Sequence, residues 1–263
     1  MIYDGIIGVP RFSCEEFTEK KSKYCILIPI INEHGRIEIE LERASKFGID
    51  QLCDIVICDG GSNDDSTAPE ILKKLGVNTL LVKKGAGKQG AQLRMGFWWA
   101  LKRGYEGFVT IDGNNKDSIE DVPQFLRSLE DGYDFIQGSR FIEGGNAINT
   151  PFSRLLAVKL LHAPIISLTA KHRFTDSTNA FRAYSRKYIE DQRVQIFREV
   201  FSSYELLAYL SVRASQLGLS VCEVPVTRAY PDGEKVPTKI NGIKGNLNLL
   251  MILLRNLMGK YNP

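Results

Sequence analysis

The chain has 263 residues, a length that fits one large domain or two small ones, and its 43% hydrophobic and 25% charged content is ordinary for a soluble globular protein. Its formal net charge of +3 is too small to indicate a nucleic-acid partner, and no run of Lys and Arg would serve as a binding tail. We therefore expect a globular protein that does not bind nucleic acid.

After an irregular N-terminal stretch, residues 1–23, the first half of the chain alternates two kinds of segment. Short apolar runs, typical of strands buried on both faces, occur at residues 24–31, 53–58, 79–82, 108–111 and 133–136. Segments with helical spacing lie between them, at residues 35–47, 66–75, 91–103 and 118–130. The alternation predicts an α/β fold with a mostly parallel central sheet flanked by helices.

The second half is less regular. It contains a flexible stretch at 144–146, a helix at 151–170 interrupted near Pro164, a strand or turn at 176–184, a helix at 204–217, a strand at 220–226, a polar basic loop at 227–239 and an amphipathic helix at 244–258. No linker or repeat separates the halves, so we predict one domain over residues 1–263. Its nucleotide-binding half would be about 23–140, and its acceptor half about 141–263.

Polar side chains follow three of the predicted parallel strands, namely Asn32 with Glu33, then Asp59, then Asp112. Parallel strands bring these residues to one edge of the sheet, where open α/β sheets bind ligands. Asp59 suits a base N–H or a ribose hydroxyl. Asp112 and Asn114, one residue apart on a glycine-assisted turn, suit a hard divalent cation that bridges to a phosphate. The alternative is ordinary capping of strand ends.

A glycine-rich loop at residues 85–90 matches GxGxxG, follows a strand and opens a helix. One interpretation is a dinucleotide site, which would make the protein an NAD(P)-dependent oxidoreductase. A second is contact with another diphosphate, because Lys83, Lys84, Lys88 and Arg94 make the loop basic. A third is turn geometry alone.

The remaining special residues exclude several kinds of site. The five cysteines have no CxxC pairing and mostly lie in apolar runs, as buried thiols do in a reducing compartment. His34, His162 and His172 lack metal-ligand spacing. No signal peptide is recognisable, and uninterrupted apolar runs such as residues 249–254 are far short of the roughly 20 residues that span a bilayer. We expect a cytoplasmic protein, with any membrane attachment peripheral.

Seven sequence blocks, in order, suggest a family. They are IPIINE (28–33), CDGGSNDDST (58–67), GKQGAQLRMG (87–96), DGNNKDSIEDVP (112–123), GSRFIEGG (138–145), DSTNAFRAYSR (176–186), and EVP (223–225) with the basic residues that follow it. Together they resemble the family 2 glycosyltransferases with the GT-A fold, and in particular the dolichol- or polyprenyl-phosphate mannosyltransferase-like branch. The likeness covers about residues 23–239.

The resemblance implies inverting transfer of a sugar from a UDP- or GDP-linked donor to a polyprenyl phosphate or a growing glycan, assisted by Mg²⁺ or Mn²⁺. Three departures from the family pattern stand out. Gly60 replaces the second Asp of the family's DDGS loop, Asn114 replaces the second Asp of its DxD motif, and Lys116 replaces the Gln after that motif. A non-catalytic nucleotide-sugar-binding relative is therefore a further alternative beside the oxidoreductase.

The resemblance also implies roles for individual residues. Donor-binding candidates are Pro29, Asn32, Glu33, Asp59, Lys88, Arg94, Asp112, Gly113 and Arg140, and the metal ligands would be Asp112 and Asn114. A hydroxyl acceptor needs a carboxylate base, for which Asp176 and Glu205 are candidates. A lipid phosphate needs little base and would be held by Arg182, Arg228 and Lys235 through charge-assisted hydrogen bonds.

The C-terminal helix carries an apolar face made of Leu247, Leu250, Met251, Leu254, Leu257 and Met258. Such a face packs against the rest of the domain, against a partner in a homodimer, or peripherally on a membrane.

Overall fold

The computed structural model describes residues 1–231 and 242–263, and the strands and helices alternate through the first half as predicted. The strands are β1 (Ile2–Tyr3), β2 (Phe12–Glu16), β3 (Tyr24–Ile30), β4 (Asp54–Asp59), β5 (Val77–Lys83), β6 (Gly107–Thr110), β7 (Phe135–Ser139), β8 (Asn146–Ile148), β9 (Arg182–Ser185), β10 (Val221–Pro225) and β11 (Thr227–Ala229). The helices are α1 (Arg36–Lys46), α2 (Ile49–Leu52), α3 (Pro69–Lys74), α4 (Gln89–Lys102), α5 (Val122–Glu130), α6 (Phe152–Ala157), α7 (Ala163–Ala170), α8 (Arg186–Glu190), α9 (Glu205–Gln216) and α10 (Gly242–Leu257).

The central sheet has nine strands in the order β1-β2-β5-β4-β3-β6-β9-β7-β10. The neighbours from β5 through β4 and β3 to β6 are parallel, as are β7 and β10. β9 runs antiparallel between β6 and β7, and β1 and β2 add an antiparallel edge beside β5. The predicted α/β class with a mostly parallel sheet is confirmed. The prediction that residues 1–23 are irregular is wrong, because β2 pairs along β5.

Strand β3 shows why the apolar runs are continuous. Successive side chains of a strand point to opposite faces of the sheet. Cys25 and Leu27 lie in the hydrophobic cluster that contains α4 and α9, whereas Ile26, Ile28 and Ile30 lie in the cluster that contains α1 and α5. Both faces are covered, so every position on this strand favours an apolar residue.

Helix α4 packs closely on the sheet because Gly96 faces it. A methyl group at Gly96 would lie 2.6 Å from Cys58 Sγ and 3.3 Å from a methyl carbon of Leu27. The close approach brings Gln92 of the same helix over the strand ends. Its side-chain Nε2 donates to the main-chain carbonyls of Ile30 and Cys58, each at 2.7 Å. A single amide thus joins the ends of β3 and β4.

Strands β8 and β11 form a separate two-stranded parallel sheet, with Thr227 opposite Asn146 and Ala229 opposite Ile148. The sequence predicts a flexible stretch around Asn146 and a loop from Thr227 onward, and both predictions are wrong where these strands form. Neither strand has more than three residues, too few for an alternating pattern to be recognised.

One continuous helix, Phe152–Ala170, contains a π-helical turn at Val158–His162 that directly precedes Pro164. Proline lacks a backbone N–H, which disrupts the regular ladder before it, so the predicted interruption is confirmed. By length and composition alone this helix is apolar enough to cross a membrane. The sequence prediction considered only uninterrupted apolar runs and so missed it. Part of the helix packs against α9 and α10, while Leu160 and Leu168 are exposed.

Helix α10 packs against α7 and α9 through Ile252 and Leu253, and Asn256 Nδ2 donates to the carbonyl of Ala208 at 2.8 Å. The apolar face expected from the sequence is not the buried one. Of its six members, Leu250 is half-buried and the other five, Leu247, Met251, Leu254, Leu257 and Met258, are exposed.

We expect Gly96→Ala to lower the free energy of unfolding by about 1–3 kcal/mol, because the added methyl group overlaps Cys58. Urea unfolding followed by circular dichroism measures the change. Gly85→Ala is the matched control, since no heavy atom lies nearer than 3.6 Å to a methyl group added there. Equal stability of the two variants would show that α4 does not depend on this close approach.

Candidate active site

The carboxyl ends of β4, β3 and β6 lie side by side at one edge of the sheet. Ile30 is in register with Asp59, and Leu27 with Thr110. Asn32, Asp59 and Asp112 follow directly from these strands, so the predicted convergence of polar strand ends is confirmed. This edge is the usual ligand site of open α/β sheets.

Asp59 and Asn32 organise the loop that follows β4. The Asp59 carboxylate accepts hydrogen bonds from the backbone N–H groups of Gly61 at 2.7 Å and Ser62 at 3.0 Å. Asn32 donates its backbone N–H to Ser62 Oγ and accepts from the N–H of Asn63, both at 2.9 Å. Ser62 Oγ also donates to Oδ1, and the Ser62 N–H reaches both oxygens, so the loop already engages both oxygens of this carboxylate and a nucleoside group would have to displace one of these contacts. The donor contacts of both residues stay predictions.

Two other predicted donor residues lie nearby. Pro29 lies near the carboxyl end of β3, where it pairs with Cys58 of β4 but no longer with β6. Glu33 is buried, and its Oε2 lies 2.6 Å from Arg36 Nε. Their predicted contacts with the nucleoside also stay predictions. Gly60 is explained by packing, because a methyl group there would lie 3.1 Å from Nε2 of Gln92. The larger aspartate of the family pattern would collide with the side chain that joins the two strands.

The turn after β6 holds the most accessible carboxylate of this edge. Asp112 Oδ1 accepts from Gln89 Nε2 at 2.9 Å, and its Oδ2 lies 3.5 Å from Arg228 Nη2. The backbone N–H of Asn114 donates to the carbonyl of Asp112 at 2.8 Å, which closes a tight turn. Gly113 makes this turn possible, since a methyl group there would lie 2.5 Å from Ile30 Cγ2.

Asp112 and Asn114 fit a hard divalent cation. The side-chain Oδ1 of Asn114 is buried and has no hydrogen-bond partner among the residues described, which leaves an amide oxygen available beside the carboxylate. Within 1–231 and 242–263, no three His, Cys, Asp or Glu side chains converge on a metal site. A cation here would therefore take its other ligands from water and a diphosphate, as Mg²⁺ commonly does.

Three cations surround the ring of Tyr230, and we call Lys116, Arg154, Arg228 and Tyr230 the Tyr230 cluster. Lys116 Nζ, Arg154 Cζ and Arg228 Cζ lie 5.4, 5.5 and 5.8 Å from the ring centroid. Arg154 Nη1 also donates to the Tyr230 hydroxyl at 2.9 Å. These distances are typical of cation–π contacts, and they gather positive charge beside Asp112.

Two carboxylates balance part of that charge. Arg228 Nη1 donates to Asp117 Oδ2, and Arg228 Nη2 approaches Asp112. Burial raises the pKa of Asp117 to about 6 although Arg228 lowers it. Burial would lower the pKa of Arg228, but Asp117 and Asp112 together raise it. Burial and the charge of Arg228 lower the pKa of Lys116. Within residues 1–231 and 242–263, three cations stand beside two carboxylates here, and such a local positive charge is suited to an anion.

Asp176 and Arg140 are not arranged for the predicted roles. They form a buried ion pair, in which Arg140 Nε lies 2.6 Å and Nη2 2.9 Å from the two oxygens of Asp176. The side chain of Arg140 is 1% exposed and that of Asp176 is 0% exposed. Asp176 also accepts from the N–H of Thr178. A carboxylate with both oxygens engaged by a guanidinium is a poor general base, and an enclosed guanidinium is a poor diphosphate ligand. We do not retain either role.

Two more arginines also differ from prediction. Arg94 is buried and donates to the main-chain carbonyls of Phe201 and Gly8. Arg182 is buried and donates to three main-chain carbonyls, including Leu207 at 2.7 Å. Both side chains hold loops in place, and the predicted phosphate contacts have no support in this geometry.

The other predicted residues have mixed outcomes. Lys88 is exposed at the start of α4. Glu205 begins α9, and its Oε2 accepts from the N–H of Ser203 at 2.6 Å, which is a capping contact. Its predicted role as a base stays a prediction. Lys235 lies outside the described residues.

The glycine-rich loop is covered by residues 201–203. The carbonyl of Ser202 accepts from the N–H groups of Lys88 at 2.8 Å and Ala91 at 3.4 Å. A methyl group at Gly90 would lie 2.5 Å from the carbonyl oxygen of Ser203. A dinucleotide diphosphate needs N–H groups at the helix N-terminus, and two of the N–H groups around this one already donate to Ser202. The geometry argues against the oxidoreductase interpretation.

Comparison with known proteins identifies the family. The model of Glycosyl transferase family 2 matches residues 25–193, which is more than half of the chain. The chain therefore belongs to this family, it is a glycosyltransferase, and the resemblance stated above is confirmed.

Curated relatives and solved structures agree. The chain is 27% identical over 219 residues to the polyprenol monophosphomannose synthase of Mycolicibacterium smegmatis, covering 82% of this chain and 80% of that protein. It is 26% identical over 222 residues to the undecaprenyl-phosphate mannosyltransferase of Micrococcus luteus, covering 82% and 86%. Glucosyl-3-phosphoglycerate synthase from Mycobacterium tuberculosis, solved with Mn²⁺, UDP and phosphoglyceric acid, superposes with a TM-score of 0.62 at 17% identity, covering 90% and 78%. The GT-A fold is thereby confirmed.

Several site residues were missed from the sequence. Arg154, Tyr230, Asp117 and Gln89 received no role, although all four contact Asp112, Arg228 or their neighbours. Gln89 lies in the glycine loop and Tyr230 in the basic segment after β10, so position gave a weak signal for these two. Nothing local marks Arg154, because the folding of a distant helix brings it to Tyr230.

We expect Asp176→Ala to lower the free energy of unfolding by about 3–5 kcal/mol, because it leaves the Arg140 charge buried and unpaired. Urea unfolding measures the loss. Asp191→Ala is the control, since its partner Arg193 is largely exposed and such pairs contribute about 0–1 kcal/mol. An Asp176→Ala protein of normal stability that lacks only turnover would restore the general-base role.

Proposed function

We propose that this glycosyltransferase moves a hexose, with inversion, from a nucleotide-sugar donor to a polyprenyl phosphate. The observation that carries the proposal is the Tyr230 cluster, an anion site with Arg228 only 3.5 Å from the carboxylate of Asp112. A donor diphosphate at Asp112 and an acceptor phosphate at the cluster would be neighbours. The names of the relatives, a polyprenol monophosphomannose synthase and an undecaprenyl-phosphate mannosyltransferase, support the same acceptor class.

The residues divide the work between donor and acceptor. Asp112 and Asn114 would hold a divalent cation, Mg²⁺ or Mn²⁺, which would neutralise charge on the departing nucleoside diphosphate. Asp59 and Asn32 would face the nucleoside. Arg228, with its neighbours in the Tyr230 cluster, would orient the acceptor phosphate so that one of its oxygens attacks the anomeric carbon.

An anionic acceptor explains why no free carboxylate base is required. A phosphate monoester carries negative charge at neutral pH and is already nucleophilic, whereas a sugar hydroxyl must lose a proton. One of the two predicted bases, Asp176, is enclosed in its ion pair. A transfer to a glycan hydroxyl would depend instead on Glu205.

We expect transfer of radiolabelled hexose from GDP-mannose or UDP-glucose to farnesyl phosphate in the presence of Mn²⁺. Asp112→Ala removes the cation's carboxylate and should lower turnover about 100-fold or more. Arg154→Ala should raise the acceptor KM about tenfold while leaving the donor KM unchanged, because it removes an acceptor-side cation. Lipid-extractable label measures the product.

Arg193→Ala, a change in an exposed ion pair, is the matched control and should behave as wild type. Transfer to sugar hydroxyls but never to farnesyl phosphate would contradict the proposed acceptor. Thermal stabilisation by NAD(P) alone, with no effect of nucleotide sugars, would contradict the donor class.

We also propose peripheral attachment to the membrane that carries the acceptor. Phe152–Ala170 and α10, which pack together, expose apolar side chains that include Leu160 at 72% and Leu168 at 68%. Exposed basic residues lie on or beside these helices, at Lys159, Lys171 and Arg255. An apolar face with a basic surround fits the interface of an anionic membrane. Arg154 lies on the same helix, so the acceptor site would open near the lipid surface.

The double variant Leu160→Glu with Leu168→Glu should lose most binding to anionic phospholipid vesicles in a flotation assay, because two charges would enter the apolar layer. Turnover with water-soluble farnesyl phosphate should remain. Ile7→Glu, at a 92% exposed apolar position outside these helices, is the matched control. Unchanged vesicle binding together with a change from dimer to monomer in light scattering would assign these faces to a homodimer instead.

A further inference from the structure

We propose that Asp117 is a positioning residue that holds Arg228 in place for the acceptor phosphate while Asp112 serves the donor side. This inference rests on the proposed function, because it assumes that Arg228 binds an acceptor phosphate. No role for Asp117 follows from the family motifs quoted above, and its side chain contacts neither proposed metal ligand through a hydrogen bond described in the structure.

Two carboxylates of different accessibility share Arg228. Asp117 is fully buried and bonds to Nη1, whereas the Asp112 side chain is 22% exposed and lies 3.5 Å from Nη2. Asp112, the more accessible carboxylate, can turn toward a donor and its cation. Asp117 is buried and its described side-chain hydrogen bond is to Arg228, so it would stay bound to the guanidinium when Asp112 turns away.

The backbone fixes the same contact. Asp117 and Arg228 lie opposite each other in an antiparallel bridge. On either side, the N–H of Ser118 donates to the carbonyl of Thr227 at 3.0 Å, and the N–H of Ala229 donates to the carbonyl of Lys116 at 2.8 Å. The segment after Asp112 therefore carries both the donor-side carboxylate and the clamp for the acceptor-side guanidinium.

Charged groups on other elements hold the loop but do not replace this contact. Arg43 of α1 donates to the main-chain carbonyl of Asp117 at 3.3 Å and to Asn115 Oδ1 at 2.9 Å. Glu40 of the same helix accepts from the N–H of Asn115 at 2.8 Å. These contacts involve the main chain or Asn115, so the Asp117 carboxylate remains directed to Arg228.

The energetic need follows from the burial of the guanidinium. A buried guanidinium that loses one carboxylate needs another to keep its position, since an unpaired buried charge is costly. Without Asp117, recruitment of Asp112 to the donor side would leave Arg228 with no carboxylate partner among the described residues, and the Tyr230 ring would position the guanidinium less firmly for the acceptor phosphate. Loss of Asp117 should then weaken acceptor binding and leave donor binding intact.

A double-mutant cycle over Asp117→Ala and Arg228→Ala tests the inference, with KM for farnesyl phosphate, KM for the donor and kcat as readouts. Each single variant should raise the acceptor KM about tenfold or more, and the donor KM should stay within about twofold. The double variant should be no worse than Arg228→Ala alone, because Asp117 acts only through that guanidinium. Asp191→Ala is a control acidic deletion.

Each alternative result rejects a specific statement. If the double variant raised the acceptor KM by the product of the two single increases, the two side chains would act independently. That result would overturn the positioning role of Asp117 and leave the proposed function standing. An unchanged acceptor KM in a folded Arg228→Ala protein would overturn the acceptor site and with it the inference. If Asp117→Ala does not fold, Asp117→Asn replaces it in the cycle. That variant keeps an acceptor for Nη1 and should give a smaller shift of the acceptor KM in the same direction, and no shift would count against the inference.

Discussion

The guanidinium of Arg228 is the point at which distant parts of the chain depend on one another. It lies between carboxylates at positions 112 and 117, on a strand that pairs with β8 and bridges to the turn after β6. A buried guanidinium requires such partners, because desolvating its charge alone is expensive. The turn after β6, the sheet of β8 and β11, and the Tyr230 ring therefore depend on one another. Together they place several cations beside the partly accessible carboxylate of Asp112.

Exposure separates the charges that maintain the fold from those available for ligands. Four buried charged side chains, those of Arg94, Arg140, Asp176 and Arg182, make hydrogen bonds to other groups of the protein. Asp112 is different, because it is partly accessible and its side chain has two hydrogen-bonding contacts among the residues that the structure describes. Asn114 contributes a buried oxygen that the fold leaves without a partner among the described residues. A ligand site requires polar atoms that the protein's own hydrogen bonds leave available.

Local pattern was sufficient for the strands and for the edge where they end. Continuous apolar runs predicted β3, β4 and β6, and parallel direction then placed Asp59 and Asp112 together. Pattern was insufficient for the arginines, since every arginine looks alike until the fold decides which carbonyl or carboxylate it meets. It was also insufficient for β8 and β11, whose pairing is created by long-range contacts.

Motif order carried the family assignment further than any single residue. Seven blocks in sequence were specific, whereas the GxGxxG match alone left a dinucleotide site open beside another diphosphate contact and plain turn geometry. The physical reason for the false match is visible in the structure. The glycines permit residues 201–203 to approach the start of α4, with Gly90 in contact range of the Ser203 carbonyl. Close backbone approach is a need shared by protein loops and by bound cofactors.

The antiparallel strand β9 has a consequence for how the molecule is made. It lies between β6 and β7, so residues 107–110 and 135–139 are joined in the sheet only through residues 182–185. During synthesis the emerging first half of the chain would therefore carry unpaired strand edges through about forty further residues after β7. Late closure of a central strand is a slow, long-range step, and it makes this region the part of the nascent chain most exposed to mispairing.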